Sequence, residues 1–502
     1  MMKKRLFMVI WVLLVSLVSF EYAKSEINYG QYLGGDYWRR QALEDIIPFW
    51  VNTLDKKDGG YFTDVGRTGV IGTNPLKYPR MVSRLVFGFS VAYLFSGDEK
   101  YLLLAKHGMD YLEKYGWDSK YGGWFMELNA ENRPTAPMKV LFDETYGNVG
   151  PIFYYYATGN REALNLVTKT HRLIKGKAWD PEYQGYYGWL EQDWSVSNTE
   201  KSFNSQIDTA TAYLIYYYLN VKTPGLLNDL REIGNVAIER MYDSNTGYIR
   251  ENYSREWNYL GSYLGDPDQI DIGHNLKTAW VLLRLYQLTG EEKYYDVARK
   301  LSAKLLETAW DNQYDGWYFT KNVYQPAKND NERLKCWRTQ TEGSFMLLTM
   351  YNITKDPLYL DYFKKNAYFW DRFMVDHQYK EVYPYVFDSG TPDARTNYKG
   401  DLFKSAYHSM ENALMNYLYL QLYIQHQTAE LHFLLSASKN GTKHYVKIIE
   451  DPDVVIKDVK INGRPWKRFN PREGYLLLPK GDKLKVQVVL GVGRKRERLN
   501  DK

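Results

Sequence analysis

The chain has 502 residues and a single cysteine, Cys336, so no internal disulfide can brace it. The same scarcity removes cysteine-based zinc sites, and no His-Glu-x-x-His phrase stands in for them. There is no dinucleotide-binding glycine fingerprint and no phosphate-binding P-loop. No metal and no cofactor are therefore expected. Neither sign of charge dominates: 65 Lys and Arg face 60 Asp and Glu, for a net charge of +5. The basic cluster in the terminal GRKRERLNDK reads as a solvated tail, so nucleic acid is not an expected partner. Residues 1–20, MMKKRLFMVIWVLLVSLVSF, put a Lys-Lys-Arg start before an apolar run of about fifteen residues, with small Ala23 and Ser25 beyond. That run is short for a membrane span. The pattern predicts a secretory signal over residues 1–25, no membrane contact after its removal, and a periplasmic or secreted protein. No cysteine follows it, so a lipid-modified N-terminus is not supported.

Aromatic residues are plentiful, at 16% with 47 Tyr and 15 Trp. Most such rings fill cores, although ring faces also pack on the C–H faces of sugars. The most informative feature is a phrase repeated six times: Asp, a few polar residues, then Gly and aromatics. It begins at Asp55, Asp118, Asp180, Asp243, Asp311 and Asp376, with gaps of 63, 62, 63, 68 and 65 residues. The sixth copy, DHQYKEVYPY, has no glycine. A fixed period marks a repeated supersecondary unit, and six units suggest closure around a centre.

Between successive phrases come a helix apolar on nearly all sides, a short turn, and an amphipathic helix. The turns SGDEKYL, TGNREAL, TGEEKYY and TKDPLYL resemble one another and carry stop-then-start signals. All-round apolar helices are buried, and amphipathic ones face solvent. The expected fold is mainly α: an (α/α)6 barrel of six helical hairpins over residues 26–427. Beyond about 427 the segments become short, β-branched and separated by Gly and Pro, which predicts a small C-terminal β-sandwich domain over 428–502 with a basic tail.

In such a barrel the first turns of the inner helices line a pocket, where polar residues need a cavity or partners. Those turns supply Arg84, Asn148, Asn204 with Gln206 and Asp208, His274, Glu342 with Gln340, and His408. His274 and His408 are the two of eight histidines at inner-helix starts. Two imidazoles across a substrate can remove a proton and return it. Lys277, Trp337 and Tyr407 complete the candidate substrate-binding set with Asn148, Asn204, Gln206 and Asp208.

The phrases IIPFWVNTLDKKDGGYF, MVSRLVFGFSVAY, GHNLKTAWVLLRLYQLTG, QTEGSFMLLTMY and KGDLFKSAYHSMENAL resemble the N-acylglucosamine 2-epimerase superfamily, which includes cellobiose 2-epimerases and mannose isomerases. The resemblance covers roughly residues 36–427. It implies a cofactor-independent sugar 2-epimerase or aldose–ketose isomerase acting on a mono- or oligosaccharide. It implies His274 and His408 as the acid/base pair, Arg84 at the carbonyl-side oxygens, Asn204 as the pocket asparagine, and Glu342 from the fifth inner helix. The chain departs from the family pattern at Asn148, at Gln206 and Asp208, at Met410-Glu411, and at Lys277, where an amine replaces a carboxylate. Beside His274, Lys277 is expected to lower that histidine's pKa by like charge. Two alternatives stay open. One is a glycoside hydrolase using paired carboxylates from Asp208, Glu342, Glu144, Glu411 and Asp271. The other is a carbohydrate-binding protein without catalysis.

Overall fold

The computed structural model describes residues 28–324 and 333–493. The expected signal at 1–25 and the tail beyond Gly493 lie outside the described residues. Twelve long helices stand among those described: α1 (35–51), α2 (Pro79–Ser96), α3 (99–116), α4 (141–158), α5 (161–178), α6 (203–221), α7 (224–241), α8 (Ile272–Thr289), α9 (Glu292–Thr308), α10 (Trp337–Thr354), α11 (357–374) and α12 (407–424). The even-numbered helices are the apolar ones. In α2 every residue from Pro79 to Phe95 is buried, whereas α5 buries one stripe, Ala163, Leu166, Val167, Thr170 and His171.

The turn signals act as read. Gly97, Gly159 and Gly290 close α2, α4 and α8 in the left-handed conformation, at φ 66°, 69° and 72°. Asp98, Asn160 and Asp356 then cap α3, α5 and α11 through their side-chain oxygens. Two inner helices end in the left-handed conformation without glycine: Lys222 and Lys355 take that position at φ 57° and 60°.

Each even helix packs on the next, α2 on α4, α4 on α6, α6 on α8, α8 on α10, α10 on α12, and α12 returns to α2. Helix α1 packs on α12. It is held to α11 through Trp370 Nε1 donating to Gln41 Oε1 at 3.0 Å and Gln41 Nε2 donating to Asp371 at 3.1 Å. The first long helix among the described residues thus completes the last hairpin.

The six repeated phrases form tight β-turns. Each closes on an antiparallel bridge between residues seven apart: Leu54–Tyr61, Trp117–Trp124, Trp179–Tyr186, Tyr242–Ile249, Trp310–Trp317 and Val375–Val382. The residue before the second bridge partner is left-handed in five of them, and it is glycine at 60, 123, 185 and 316. In the sixth it is Glu381, at φ 58°. A non-glycine residue there costs roughly 1–2 kcal/mol. Its carboxylate sits fully buried, 3.0 Å from Lys404 Nζ and 2.7 Å from the donating Trp50 Nε1.

The repeated aspartates have a second partner that the phrase does not show. In five of the six copies one oxygen accepts backbone N–H groups of the turn, and the other meets a lysine 21 to 24 residues downstream. The pairs are Asp55–Lys77, Asp118–Lys139, Asp180–Lys201, Asp311–Lys335 and Asp376–Lys399, all buried. Each lysine precedes an inner helix, so each pair ties a turn to the entry of the helix that follows it.

Beyond α12 the chain forms two antiparallel sheets from β1 (Ala429–Ala437), β2 (Thr442–Tyr445), β3 (Val454–Ile461), β4 (Arg464–Pro465), β5 (Phe469–Asn470), β6 (Tyr475–Leu478) and β7 (Gly481–Val492). Their orders are β1-β7-β3-β4 and β2-β6-β5. This β-rich region packs on the C-terminal halves of the inner helices. Arg284 of α8 donates from Nε and Nη2 to both oxygens of Glu450 at 2.7 and 2.9 Å, and Tyr156 of α4 donates to the Val446 carbonyl at 2.6 Å.

Candidate active site

Counting from the first residue of each inner helix, and from the cap Ala406 for α12, gives three positions distinct roles. The fourth residue points to the turns. Gln206, Asn275 and Gln340 each accept a backbone N–H and donate to a carbonyl of the preceding turn, at Tyr186, Ile249 and Trp317. Glu144 accepts from Trp124 N at 3.0 Å. The third and sixth residues meet at the other face of the helix, and they carry the ionisable cluster.

The sixth residues are Arg84, Tyr146, Asp208, Lys277, Glu342 and Glu411, one from each inner helix. They form a connected layer. The Arg84 guanidinium lies 3.8 Å over the Tyr146 ring, and Tyr146 OH donates to Asp208 at 3.0 Å. Lys277 Nζ donates to Asp208 at 3.0 Å and to Tyr146 OH at 3.3 Å, and stands 3.4 Å from Glu342. Glu411 accepts from Tyr407 OH at 3.0 Å and Tyr216 OH at 3.2 Å.

The third residues include both expected histidines. His274 Nδ1 is 2.9–3.0 Å from both oxygens of Glu251, and its ring stacks on Phe203 at 3.8 Å with planes 6° apart. Its backbone N–H donates to the cap Asp271 at 2.9 Å, and Asp271 is held by Arg338 and Tyr263. His408 Nδ1 has no hydrogen bond; Glu342 and Glu411 lie 3.7 and 3.9 Å away. Trp337 and Tyr407 meet the His408 ring edge-on, at 6.3 and 4.8 Å between centroids.

Burial shapes the charges. It pushes the Glu342 carboxyl up to about 8 against the pull of Lys277, and the Glu411 carboxyl up to about 7. Burial, with Lys277, Arg84, Arg338 and Lys404 adding like charge, holds the His408 imidazole well below its ordinary value. Burial works against the Lys277 charge, but Asp208, Tyr146 and Glu342 outweigh it and hold the ammonium above its ordinary value. Arg84 has no carboxylate at ion-pair distance among the described residues; it donates to the Phe403 carbonyl at 2.6 Å.

Of the residues expected from sequence, the structure joins Arg84, Asp208, Lys277, Glu342, His408, Tyr407 and Trp337 in one neighbourhood, with His274 on Glu251 and Phe203. Asn204 is half-buried in the first turn of α6. Three expectations need correction. Asn148 starts only the second segment of α4, Val149–Thr158; the helix begins seven residues earlier at Leu141, and Asn148 accepts from Trp124 Nε1 at 3.1 Å. Pro151 lacks the N–H that would bond Gly147, which interrupts α4 at Asn148 and explains the misplaced start. Gln206 is committed to Tyr186 of the turn, because the fourth position points there. Lys277 spends its donors on Asp208 and Tyr146 and faces Glu342, and its like charge falls on His408.

Glu251, Tyr146 and Phe203 were missed. Glu251 follows the fourth turn, outside any helix start, and no local pattern marks it. Tyr146 was hidden by the late start assigned to α4. Glu342, His408 and Glu411 bring one donor atom each within 4.8 Å of one another, the one such group of three found among the described residues. Zinc needs its donors at about 2.0–2.2 Å from a shared centre. Here the cation beside Glu342 is the Lys277 ammonium. An open cleft of about 1210 Å³ between the α2–α3 and α4–α5 turns and the β-rich region, lined by Leu103, Tyr154, Arg161 and Lys443 among others, includes no residue of the cluster.

Residues 60–411 match the N-acylglucosamine 2-epimerase (GlcNAc 2-epimerase) family. A cellobiose 2-epimerase of Ruminococcus albus is 22% identical over 335 residues, 64% of this chain and 82% of that protein. A D-mannose isomerase of Marinomonas mediterranea is 23% identical over 385 residues, 73% of this chain and 93% of that protein. The solved cellobiose 2-epimerase of Bacillus thermoamylovorans B4167 superposes with a TM-score of 0.70 at 19% identity, covering 76% of this chain and 98% of that one. With the matched segment spanning most of the helical region and all six residues of the polar layer, the chain belongs to the N-acylglucosamine 2-epimerase family.

Proposed function

We propose that the protein is a sugar 2-epimerase or aldose–ketose isomerase, built on an (α/α)6 barrel over residues 26–427 with a β-sandwich over 428–502. It acts on a reducing saccharide without a cofactor. The observation that carries this reading is the pair of histidines at the same register of two inner helices, each backed by carboxylates and aromatic rings. In the open-chain sugar one imidazole takes the C2 proton, the C–H electrons form the C1–C2 double bond, and the carbonyl electrons move onto O1. Arg84, with no carboxylate at ion-pair distance among the described residues, suits that developing oxyanion. A proton returned by the other imidazole to the opposite face of C2, with the O1 electrons re-forming the carbonyl, gives the epimer; one delivered to C1, with the O2 proton passing to O1 as C2=O forms, gives the ketose.

The carboxylates a hydrolase would need are mostly committed. Asp208 is tied to Lys277 and Tyr146, Asp271 to Arg338, Glu144 to Trp124, and Glu411 to two tyrosines. Glu342 alone among the five has no hydrogen bond. The test is deuterium exchange at C2 of reducing mono- and disaccharides in heavy water, followed by NMR. Exchange that disappears in His274→Ala and His408→Ala supports the reading. No exchange on any sugar, or release of new reducing ends with no C2 exchange, overturns it. Export to the periplasm or medium is part of the proposal and is checked by fractionating cells that express the full chain.

A further inference from the structure

The sixth-position layer contains a cation that a proton-transfer site on two histidines does not require. Lys277 is buried, one helical turn below His274, yet its ammonium reaches sideways to α4, α6 and α10. Asp208 and Tyr146 fix it from one side. On the other side stands Glu342, and beyond Glu342 stands His408 Nδ1, with 3.4 Å and 3.7 Å as the two gaps from Glu342 Oε1. The same carboxylate oxygen is therefore shared between an ammonium and an imidazole nitrogen, and it completes a well-formed hydrogen bond with neither. His274 has no such competition, because Glu251 engages its Nδ1 with both oxygens.

We propose that Lys277 is a positioning residue: anchored by Asp208 and Tyr146, its ammonium restrains the Glu342 carboxyl and denies His408 Nδ1 the carboxylate partner that His274 has. This rests on the sugar reading for its consequence in turnover, although not for its test. With its partner withheld and a fixed ammonium nearby, His408 is held toward its uncharged form, ready to accept a proton, while His274 keeps both oxygens of Glu251 on its Nδ1. The pair is made unlike by its surroundings, although the two histidines occupy the same position of their helices. The charged and titratable groups around His408 come from every element beside it: Glu342 and Arg338 of α10, Lys277 of α8, Arg84 of α2, Lys404 of the preceding loop, and Tyr407 and Glu411 of α12 itself. Of the four cations, Lys277 is the one in contact with Glu342. Arg84 faces Phe403, Arg338 is bound to Asp271, and Lys404 is bound to Glu381.

The test is a substrate-free titration of the histidine Cε1–H signals by NMR in the full chain, with His408 assigned from its loss in His408→Gln. In Lys277→Met the His408 titration is expected to move up by about one pH unit or more, and in Lys277→Arg to stay near the wild-type value. The acid limb of the kcat/KM profile should move up with it, with KM changing less than kcat. An unmoved His408 titration in a folded Lys277→Met protein overturns the proposal. If that variant does not fold, Glu342→Gln reads the contact from the other side. With Lys277 present and no carboxylate to restrain, His408 must stay below the ordinary imidazole value, and a rise to or above it overturns the proposal equally. Because the titration needs no sugar, a protein that shows the shift but exchanges no C2 proton would overturn the reaction and leave the role of Lys277 standing.

Discussion

The two ends of the inner helices treat buried charge in opposite ways. About 15 Å along α8 from His274, Arg284 meets Glu450 of the β-rich region through two parallel hydrogen bonds. At the N-terminal end, beside paired groups such as Lys277 with Asp208 and Arg338 with Asp271, Glu342 has no hydrogen bond, His408 Nδ1 has none, and Arg84 has no carboxylate at ion-pair distance among the described residues. Burial of an unmatched polar group is costly, so it persists where something other than stability maintains it. The matched end joins two parts of the chain; the unmatched end is left reactive.

That contrast can be broken by substitution. At the reactive end, His274→Ala and His408→Ala should each cut C2 exchange on the order of 10³-fold or more while leaving the unfolding midpoint nearly unchanged; an unfolding loss comparable to the activity loss would make these histidines structural. At the matched end, Arg284→Met should leave Glu450 buried without a partner and cost about 3–5 kcal/mol in urea unfolding, with turnover per folded molecule preserved. Acid should destabilise the protein through the turns, since Glu342 and Glu411 already take up protons near neutral pH. Burial raises the Asp376 carboxyl, but Arg67, Lys399 and turn N–H groups outweigh it and hold it at about 2, and Asp55, Asp118 and Asp180 are lowered in the same way. A carboxylate lowered by folding stabilises above its unfolded value near 3.8 and loses that contribution as pH falls toward its folded value. Thermal midpoints measured from pH 5 downward should therefore fall most steeply below about pH 4, and Asp376→Asn should flatten that fall. The smallest effect is expected at Lys222, left-handed at φ 57° at the end of α6. Lys222→Gly should raise stability by up to about 1 kcal/mol, read from the same urea curves.

Much of the hairpin plan was legible because its signals are local. Gly97, Gly159 and Gly290 stop helices where a turn phrase said they would, and Asp98, Asn160 and Asp356 start the next ones. The lysine that answers five of the six repeated aspartates was within reach, since Lys77, Lys139, Lys201, Lys335 and Lys399 keep nearly constant offsets. It was overlooked because the phrase itself looked complete. The cluster was legible where helix starts were well placed, as for Arg84, His274, Glu342 and His408. It failed at α4, where Pro151 disguises one helix as two. Glu251 and the sideways reach of Lys277 depend on which elements lie side by side, and no spacing along the chain encodes that.

Glu381 takes the place of a glycine in the turn that meets α1. Its backbone N–H donates to the Asp45 carbonyl of α1 at 2.7 Å, and its carboxylate accepts from Trp50 of the same helix. The sixth turn, and only that turn among the six, is therefore a seam between the earliest and latest described parts of the helical region. Its local strain is tolerated because contacts spanning more than 300 positions hold it in place. Such contacts close the longest loops in the molecule, and loops of that length close late and slowly. The repeats can assemble from neighbours in sequence order, but the last hairpin is complete only when α1, from the far end of the helical region, packs against it.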